Sequence, residues 1–467
     1  MTSNESLSLS LRIKDLVQRD LSHVFQEFIP VDLIEQRARE VMKGRRDRIF
    51  TASNTVLTML LSAVNEDKSL QHGLNLFKVV FASKSRQAVH EEDVLLQAEK
   101  VKDAQSPRKA GRPKQYKSKL PKCYHQPLSD STAGYATARE NLDKSIFETV
   151  YQHSTDFGTL DNECWYGMKT FISDGTYQQL QDTEDIRTEF TVKGQEASYP
   201  QSLLQVMIRQ GAGHISQFAL SNRGQSELTL IVPMIRKLEP DSLLLADDLY
   251  NTYYHFCLIQ QQKCHIVVPG KRSRTYSVIR NISDNDQIVE VSKTDRPDYV
   301  SREEWKSLPP KILLRRMVYS YPTKNGLETA ILYTTILDEK ITSADIVAKY
   351  TMRWDIEICI REIKTIMDIN VLRSKSRGML YKELLIALTA YNMVRKIIAK
   401  SADKVGFSPQ ENIFQKCAPF GRDVLLDKKG RVFFKWSPGR YGYANGANRK
   451  KSDPASKGQT TTLSQKN

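Results

Sequence analysis

Hydrophobic residues recur at helical spacing along the first hundred residues of the chain. Over residues 31–41 the apolar positions fall three or four residues apart, and similar spacing continues over 56–64 and 70–81. A repeat of this kind matches the 3.6-residue turn of an α-helix with one buried face. The pattern predicts an all-α N-terminal domain, which we delimit as residues 1–99.

Beyond residue 165 the pattern changes to short apolar runs separated by turn residues and amphipathic segments. Strand-like runs occupy residues 170–173, 203–208, 215–220, 243–246 and 265–268, and helical spacing recurs over 228–238 and 252–262. Three strands followed by a helix, a strand, a helix and a strand resemble the element order of an RNase H-like fold. The predicted fold class is therefore α/β.

Two further strand-like segments interrupt this α/β region. Residues 312–321 and 328–335 flank the dipeptide Asn325-Gly326, which favours a tight hairpin turn. We therefore expect a β-rich insertion over residues 270–340. The first part of the RNase H-like catalytic core then spans residues 124–269 and the second part spans 341–400.

Residues 350–364, the signature segment, combine a polar stripe with an apolar one. At about 100° per residue on an α-helix, Tyr350, Arg353, Glu357, Arg361 and Lys364 fall in one outward-facing sector. The opposite sector is predicted to be buried and holds Met352, Ile356, Cys359, Ile363 and Ile366. One carboxylate among cationic groups suits a metal ion held beside phosphates. Taken alone, an ordinary solvated face explains this helix equally well.

The spacing of Tyr350, Arg353, Glu357 and Lys364 resembles the motif of bacterial insertion-sequence transposases of the fourth insertion-sequence family. Those enzymes are DDE transposases with an RNase H-like core, a β-rich insertion and two aspartates at the ends of core strands. The resemblance implies that the strand before Asp174 ends there.

Three carboxylates are implicated by this resemblance. They are the predicted catalytic and metal-binding residues Asp174, Asp247 and Glu357. Gly175 would permit a tight turn directly after the first carboxylate. Asp248 remains an alternative to Asp247, because family members often have Asp-Arg-Gly at the second position. Two Mg²⁺ ions, with Mn²⁺ as a substitute, would then assist phosphodiester cleavage and transesterification.

The resemblance also implies the substrate and the assembly, and it implies that the helical domain at residues 1–99 binds DNA. The expected partners are the terminal inverted repeats and the target duplex, bound by a homodimer that uses a cut-and-paste route with a hairpin intermediate. Tyr350, Arg353, Arg361 and Lys364 would contact the DNA. Trp305 is a candidate platform for a flipped base, as is Tyr319, although simple core packing would also explain either ring.

Basic residues are concentrated in two short regions. The net charge is +15 for 467 residues, yet the predicted linker at residues 100–123 carries about +8 and residues 428–467 carry about +9. Such regions attract DNA phosphates without sequence preference, although a solubilising tail is the alternative for the basic C-terminal region 401–467. Arg112 lies in a Gly-Arg-Pro triplet similar to the centre of an AT-hook, which inserts into the minor groove, but Ala110 departs from that motif.

Other features narrow the class of protein. No run of 18 apolar residues and no signal peptide are evident, so we expect a cytoplasmic bacterial protein associated with the nucleoid and not with a membrane. The six cysteines form no Cys-x-x-Cys pair, which argues against a zinc site. Two alternatives to a transposase remain: a structure-specific RNase H-like nuclease and a catalytically silent DNA-binding derivative.

Overall fold

The computed structural model describes most of the chain between residues 25 and 405. The described residues are 25, 28–44, 49–65, 67–105, 116–120, 124–125, 128–191, 194, 198–270, 274–323, 326–365, 367–405, 424–426 and 432–434. Arg112 and most of the predicted basic tail lie outside them. None of the described helices has both the length and the apolar composition needed to cross a membrane.

Five α-helices precede the sheet in the described part of the chain. They are α1 (Val31–Val41), α2 (Ala52–Ala63), α3 (Leu70–Gln105), α4 (Ala133–Asn141) and α5 (Lys144–Ser154). The predicted all-α N-terminal region is confirmed, although α3 continues to Gln105, beyond the expected start of the linker at residue 100. Helices α4 and α5 are separate, because the Asp143 carboxylate accepts the Ser145 N–H and starts α5.

The central strands form the predicted RNase H-like arrangement. They are β1 (Lys169–Gln179), β2 (Gln201–Arg209), β3 (Ile215–Asn222), β4 (Ser242–Leu245) and β5 (His265–Pro269), with helices α6 (Glu184–Phe190), α7 (Glu227–Ile235) and α8 (Tyr253–Gln261) between them. The first three strands are antiparallel, whereas β4 and β5 run parallel to β1. The spatial order is β3-β2-β1-β4-β5, so the predicted fold class is confirmed.

The β-rich insertion extends the same sheet. It contains β6 (Ser277–Ser283), β7 (Asp286–Ser292), α9 (Arg302–Ser307), β8 (Lys311–Thr323) and β9 (Gly326–Thr334). Strand β9 pairs antiparallel with β5, and β8, β7 and β6 follow outward to complete nine strands. Thr323 pairs with Gly326 across the predicted hairpin, whose two turn residues lie outside the described residues.

The chain then returns to the core through three helices. These are α10 (Ser343–Thr351), α11 (Asp355–Thr365) and α12 (Arg377–Val405), and a short hairpin of β10 (Val424–Leu426) and β11 (Val432–Phe434) follows. A 3-10 turn at Met352–Trp354 separates α10 from α11. The single helix predicted over the signature segment is therefore interrupted.

Both faces of the central sheet are covered. Leu243 and Leu245 of β4 belong to a core shared with the N-terminal helices, α5, α11 and α12, and we call this side the first face. Leu244 and Ala246 belong to a separate core formed with α7, α8 and part of the insertion, on the second face. All four residues are fully buried, as expected for a parallel strand between two layers.

Candidate active site

Asp174 lies in the middle of β1. The strand continues to Gln179, and Asp174 pairs with Val206 of β2. The prediction that the strand ends in a turn at Gly175 was therefore wrong, because Gly175 is itself paired, with Gln205. A different reason is needed for a glycine at this position.

Asp247 stands level with Asp174 on the neighbouring strand. Ile172 and Leu245 are paired in parallel register, and Asp247 retains an extended backbone with φ −80° and ψ −175°. Asp174 and Asp247 each lie two residues beyond that pair. They therefore occupy matching positions on neighbouring strands, which are about 4.8 Å apart. Since side chains alternate along a strand, Asp174 projects from the first face with Ile172.

Burial is the largest cause of a raised pKa at both aspartates. The charges of Asp247 and Glu357 raise the pKa of Asp174 further, whereas the Gly175 N–H and Arg353 lower it. At Asp247, the charge of Asp248 adds to the effect of burial on the pKa. Partly buried carboxylates that repel one another are stabilised by a cation, so this pair fits a divalent metal ion.

The surroundings of Asp247 distinguish it from Asp248. The Asp247 carboxylate accepts the Leu249 N–H at 3.0 Å and caps a 3-10 turn, Asp248–Tyr250. This bond holds a partly buried side chain beside β1, whereas Asp248 is exposed. The geometry favours Asp247 as the second carboxylate.

Glu357 lies in the first turn of α11, which packs on the first face through Ile356, Cys359 and Ile363. Its Oε1 atom is 3.5 Å from Nη2 of Arg353, and its side chain is 44% exposed. Its charge contributes to the raised pKa of Asp174, so Glu357 lies within electrostatic range of that carboxylate. Nevertheless, no three His, Cys, Asp or Glu side chains in the described parts of the chain are grouped as a metal site.

The 3-10 turn changes which residues of the signature segment face outward. Tyr350 is 9% exposed, and its hydroxyl donates to the Ala246 carbonyl at 3.3 Å. The prediction that Tyr350 faces outward was therefore wrong, as was the predicted burial of Met352, which is 44% exposed. A helical angle counted across residues 352–354 fails because the α-helix stops there.

The remaining predicted DNA contacts lie in different environments. Arg353 is mostly buried and its guanidinium lies 5.2 Å from the Trp354 ring centre, whereas Arg361 is exposed and Lys364 is partly exposed. Trp305 packs edge-on against Tyr253 at 6.1 Å and supports the second-face core. That position agrees with the packing interpretation of Trp305, and its contact with DNA stays a prediction.

Glu227 is an acidic residue near this site that the sequence did not reveal. It is the first residue of α7, and its Oε2 atom accepts the Tyr250 hydroxyl at 3.0 Å. Burial raises the pKa of Glu227, and the charges of Asp174 and Asp247 raise it further. The apolar spacing that predicted this helix carries no signal for its first residue.

The fold and the site define an RNase H-like protein with a carboxylate pair at the centre of its sheet. Residues 165–393 match the transposase DDE domain family. The chain is also similar to the transposase InsG for insertion sequence element IS4 of Escherichia coli (strain K12), with 25% identity over 317 residues that cover 65% of this chain and 68% of InsG. The two matches together support an IS4-family DDE transposase, the family that the signature segment resembles.

The chain also has a low structural similarity to a solved structure, the cryo-EM structure of the piggyBac transposase synaptic complex with hairpin DNA. The similarity has a TM-score of 0.39 and 11% sequence identity, and it covers 85% of this chain and 78% of the piggyBac chain.

Proposed function

We propose that this transposase cleaves the ends of an insertion sequence and joins them to target DNA, with Asp174, Asp247 and Glu357 as its catalytic carboxylates. The observation that carries the proposal is the level placement of Asp174 and Asp247 on adjacent parallel strands. Glu357 approaches from a helix on the same face. The three acidic side chains thus come from separate elements, and the register of β1 with β4 holds two of them, Asp174 and Asp247, side by side.

The donor set supports Mg²⁺ as the cofactor, with Mn²⁺ as a substitute. All three side chains offer carboxylate oxygens, which hard divalent cations prefer. When bound, the metal ions would neutralise charge on the attacking and leaving oxygens of a phosphodiester. The ion pair of Glu357 with Arg353 would have to open for Glu357 to serve as a ligand.

Cationic residues on the same helices would hold the DNA phosphates. Arg353 has a permanent charge within range of both aspartates, and a guanidinium matches the geometry of a phosphate. Arg361 and Lys364 extend this positive surface along α11. Tyr350 has a positioning role instead, because its hydroxyl binds the carbonyl directly before Asp247.

The proposed DNA substrates are the terminal inverted repeats and a target duplex. A homodimer, a cut-and-paste route and a hairpin intermediate are proposed from the resemblance to the IS4 family. Retention of the carboxylate pair argues against a catalytically silent derivative.

The test uses a labelled duplex that carries the inverted repeats flanking the gene, with Mg²⁺ or with EDTA. We expect Asp174→Asn, Asp247→Asn and Glu357→Gln each to abolish cleavage while DNA binding persists, because each removes one anionic ligand. Asp248→Asn is the matched control and should cut normally. Normal cutting by Asp247→Asn together with loss in Asp248→Asn would contradict the assignment of the second carboxylate.

The products distinguish the alternative functions. Mg²⁺-dependent cleavage with joining to a second duplex is expected of a transposase. Cleavage of branched DNA without joining would identify a structure-specific nuclease, and end binding without any metal-dependent product would identify a silent derivative.

A further inference from the structure

Glu227 and Asp174 converge on one backbone amide from opposite faces of the sheet. The Gly175 N–H donates to Oδ1 of Asp174 at 2.8 Å, and the same N–H also interacts with the Glu227 carboxylate. Helix α7, which carries Glu227, packs on the second face through Ile231 and Ile235. Two carboxylates that share one amide are within a few ångströms of each other.

Gly175 provides the space for this approach. A Cβ atom at position 175 would lie 2.5 Å from Oε1 and 2.7 Å from Oε2 of Glu227. Both separations are too short for real atoms, and the backbone of Gly175 has no positive φ that would itself require glycine. The absent side chain therefore explains the glycine that the turn prediction misinterpreted.

A buried polar network fixes the position of Glu227. The Tyr250 hydroxyl, which donates to Glu227, accepts a hydrogen bond from Nε2 of Gln205 at 2.8 Å. The same Gln205 nitrogen is 2.9 Å from Oγ of Ser173, the residue before Asp174. The network thus connects α7 to β1 and β2 and holds the Glu227 carboxylate at the edge of the aspartate pair.

The charges that surround Glu227 are unusual for a purely structural glutamate. The charged groups that raise the pKa of Glu227 are Asp174 and Asp247, and both are negative. A structural carboxylate that is half withdrawn from solvent is normally placed beside a positive group. A site that assembles three partly buried carboxylates is stabilised when a cation binds between them.

We infer that Glu227 is a fourth carboxylate ligand of the divalent metal site formed with Asp174 and Asp247. This inference rests on the proposed function, because it adds a ligand to the same site. Glu227 would complete the oxygen shell from the second face, whereas Glu357 approaches from the first face.

The experiment measures Mn²⁺ binding to the DNA-free protein by electron paramagnetic resonance of the unbound ion. Glu227→Gln keeps the shape of the side chain and an acceptor for Tyr250, but removes the charge. We expect it to weaken Mn²⁺ binding about tenfold or more. Glu184→Gln is the matched control, because Glu184 is also the first residue of a side-chain-capped helix but is exposed, and it should bind like the wild type.

Gly175→Ala tests the same idea without removing a carboxylate. The added methyl group should displace Glu227 and weaken Mn²⁺ binding, whereas Gly378→Ala should have no effect because nothing lies within 4 Å of its Cβ position. Thermal unfolding without metal establishes that each variant is folded. A structural role for Glu227 would instead lower the unfolding temperature of Glu227→Gln and leave its Mn²⁺ affinity unchanged.

The outcomes separate this inference from the proposed function. If the wild type binds Mn²⁺ and Asp174→Asn does not, but folded Glu227→Gln and Gly175→Ala bind normally, Glu227 is not a ligand and the proposed function stands. A wild type that neither binds Mn²⁺ nor cleaves end-containing DNA overturns both.

Discussion

The buried ion pair of Arg315 with Asp286 connects the insertion to the chain that enters α10. The Nε and Nη2 atoms of Arg315 donate to the two carboxylate oxygens at 2.8 and 2.5 Å, and the two side chains are only 1% and 4% exposed. The Nη1 atom donates to the carbonyls of Asp338 and Ile341 at 3.0 and 2.7 Å. Arg315 therefore links β7 and β8 to the segment directly before the signature helices.

Arg315→Met should lower the free energy of unfolding by about 6 kcal/mol. The substitution leaves a buried negative charge without its partner, and breaking a buried pair in this way costs about 3–5 kcal/mol. It also removes donors from two carbonyls, at about 1 kcal/mol each. The double variant Arg315→Met with Asp286→Leu should recover about half of the loss, because it no longer buries an unpaired charge.

Urea unfolding followed by circular dichroism measures both variants. Lys311→Met is the matched control, because Lys311 pairs with Glu290 across the same two strands but is 57% exposed. An exposed ion pair contributes about 1 kcal/mol or less to the free energy of unfolding. The reasoning fails if Arg315→Met costs no more than Lys311→Met, or if the double variant is as unstable as the single one.

Three further predictions concern pH, DNA retention and charge. Burial raises the pKa of Glu362 to about 7 from 4.5, so the folded protein holds a proton that the unfolded chain releases. The free energy of unfolding should therefore fall by about 3 kcal/mol as the pH rises from about 4.5 to about 7, and it should change less with pH in Glu362→Gln. Thermal unfolding at each pH will measure both. Lys364→Ala should allow some first-strand nicking but lose hairpin and joined products in a gel time course; equal loss at every step would indicate a fault in core assembly. Deleting residues 428–467 should reduce the log-log salt dependence of binding to random duplex by about 0.9 per lost phosphate contact, and an unchanged slope would identify a solubility tail.

The sequence predicted the order of the core elements because burial on a regular element leaves a period in the residues. The apolar run at residues 243–246 predicted a strand buried on both faces, and all four residues are buried. The polar residue that follows such a strand emerges at its carboxyl end. The sequence pattern therefore placed Asp247 at the end of the fourth strand, whereas its position beside the first strand followed from the resemblance to an RNase H-like fold.

Angular counting was less successful where the helix changes type. The sequence contains no proline or glycine between Tyr350 and Glu357 that would predict a break. Packing nevertheless imposes a 3-10 turn at Met352–Trp354, which directs Tyr350 into the core and leaves Met352 and Trp354 exposed. Arg353 lies in this turn and Glu357 in the first turn of α11. The two remain neighbours, with Nη2 of Arg353 3.5 Å from Oε1 of Glu357.

The approach of Glu227 to Gly175 shows why part of the site was missed. Glycine permits unusual backbone angles and also leaves space where a side chain would stand, and the dipeptide Asp174-Gly175 cannot distinguish these uses. The distinction depends on Glu227, a residue distant in sequence on the other face of the sheet. Once the pairing of Gly175 with Gln205 rules out a turn, only close approach explains the glycine. A glycine paired within a strand beside a proposed metal-binding aspartate therefore indicates that another side chain reaches the site there.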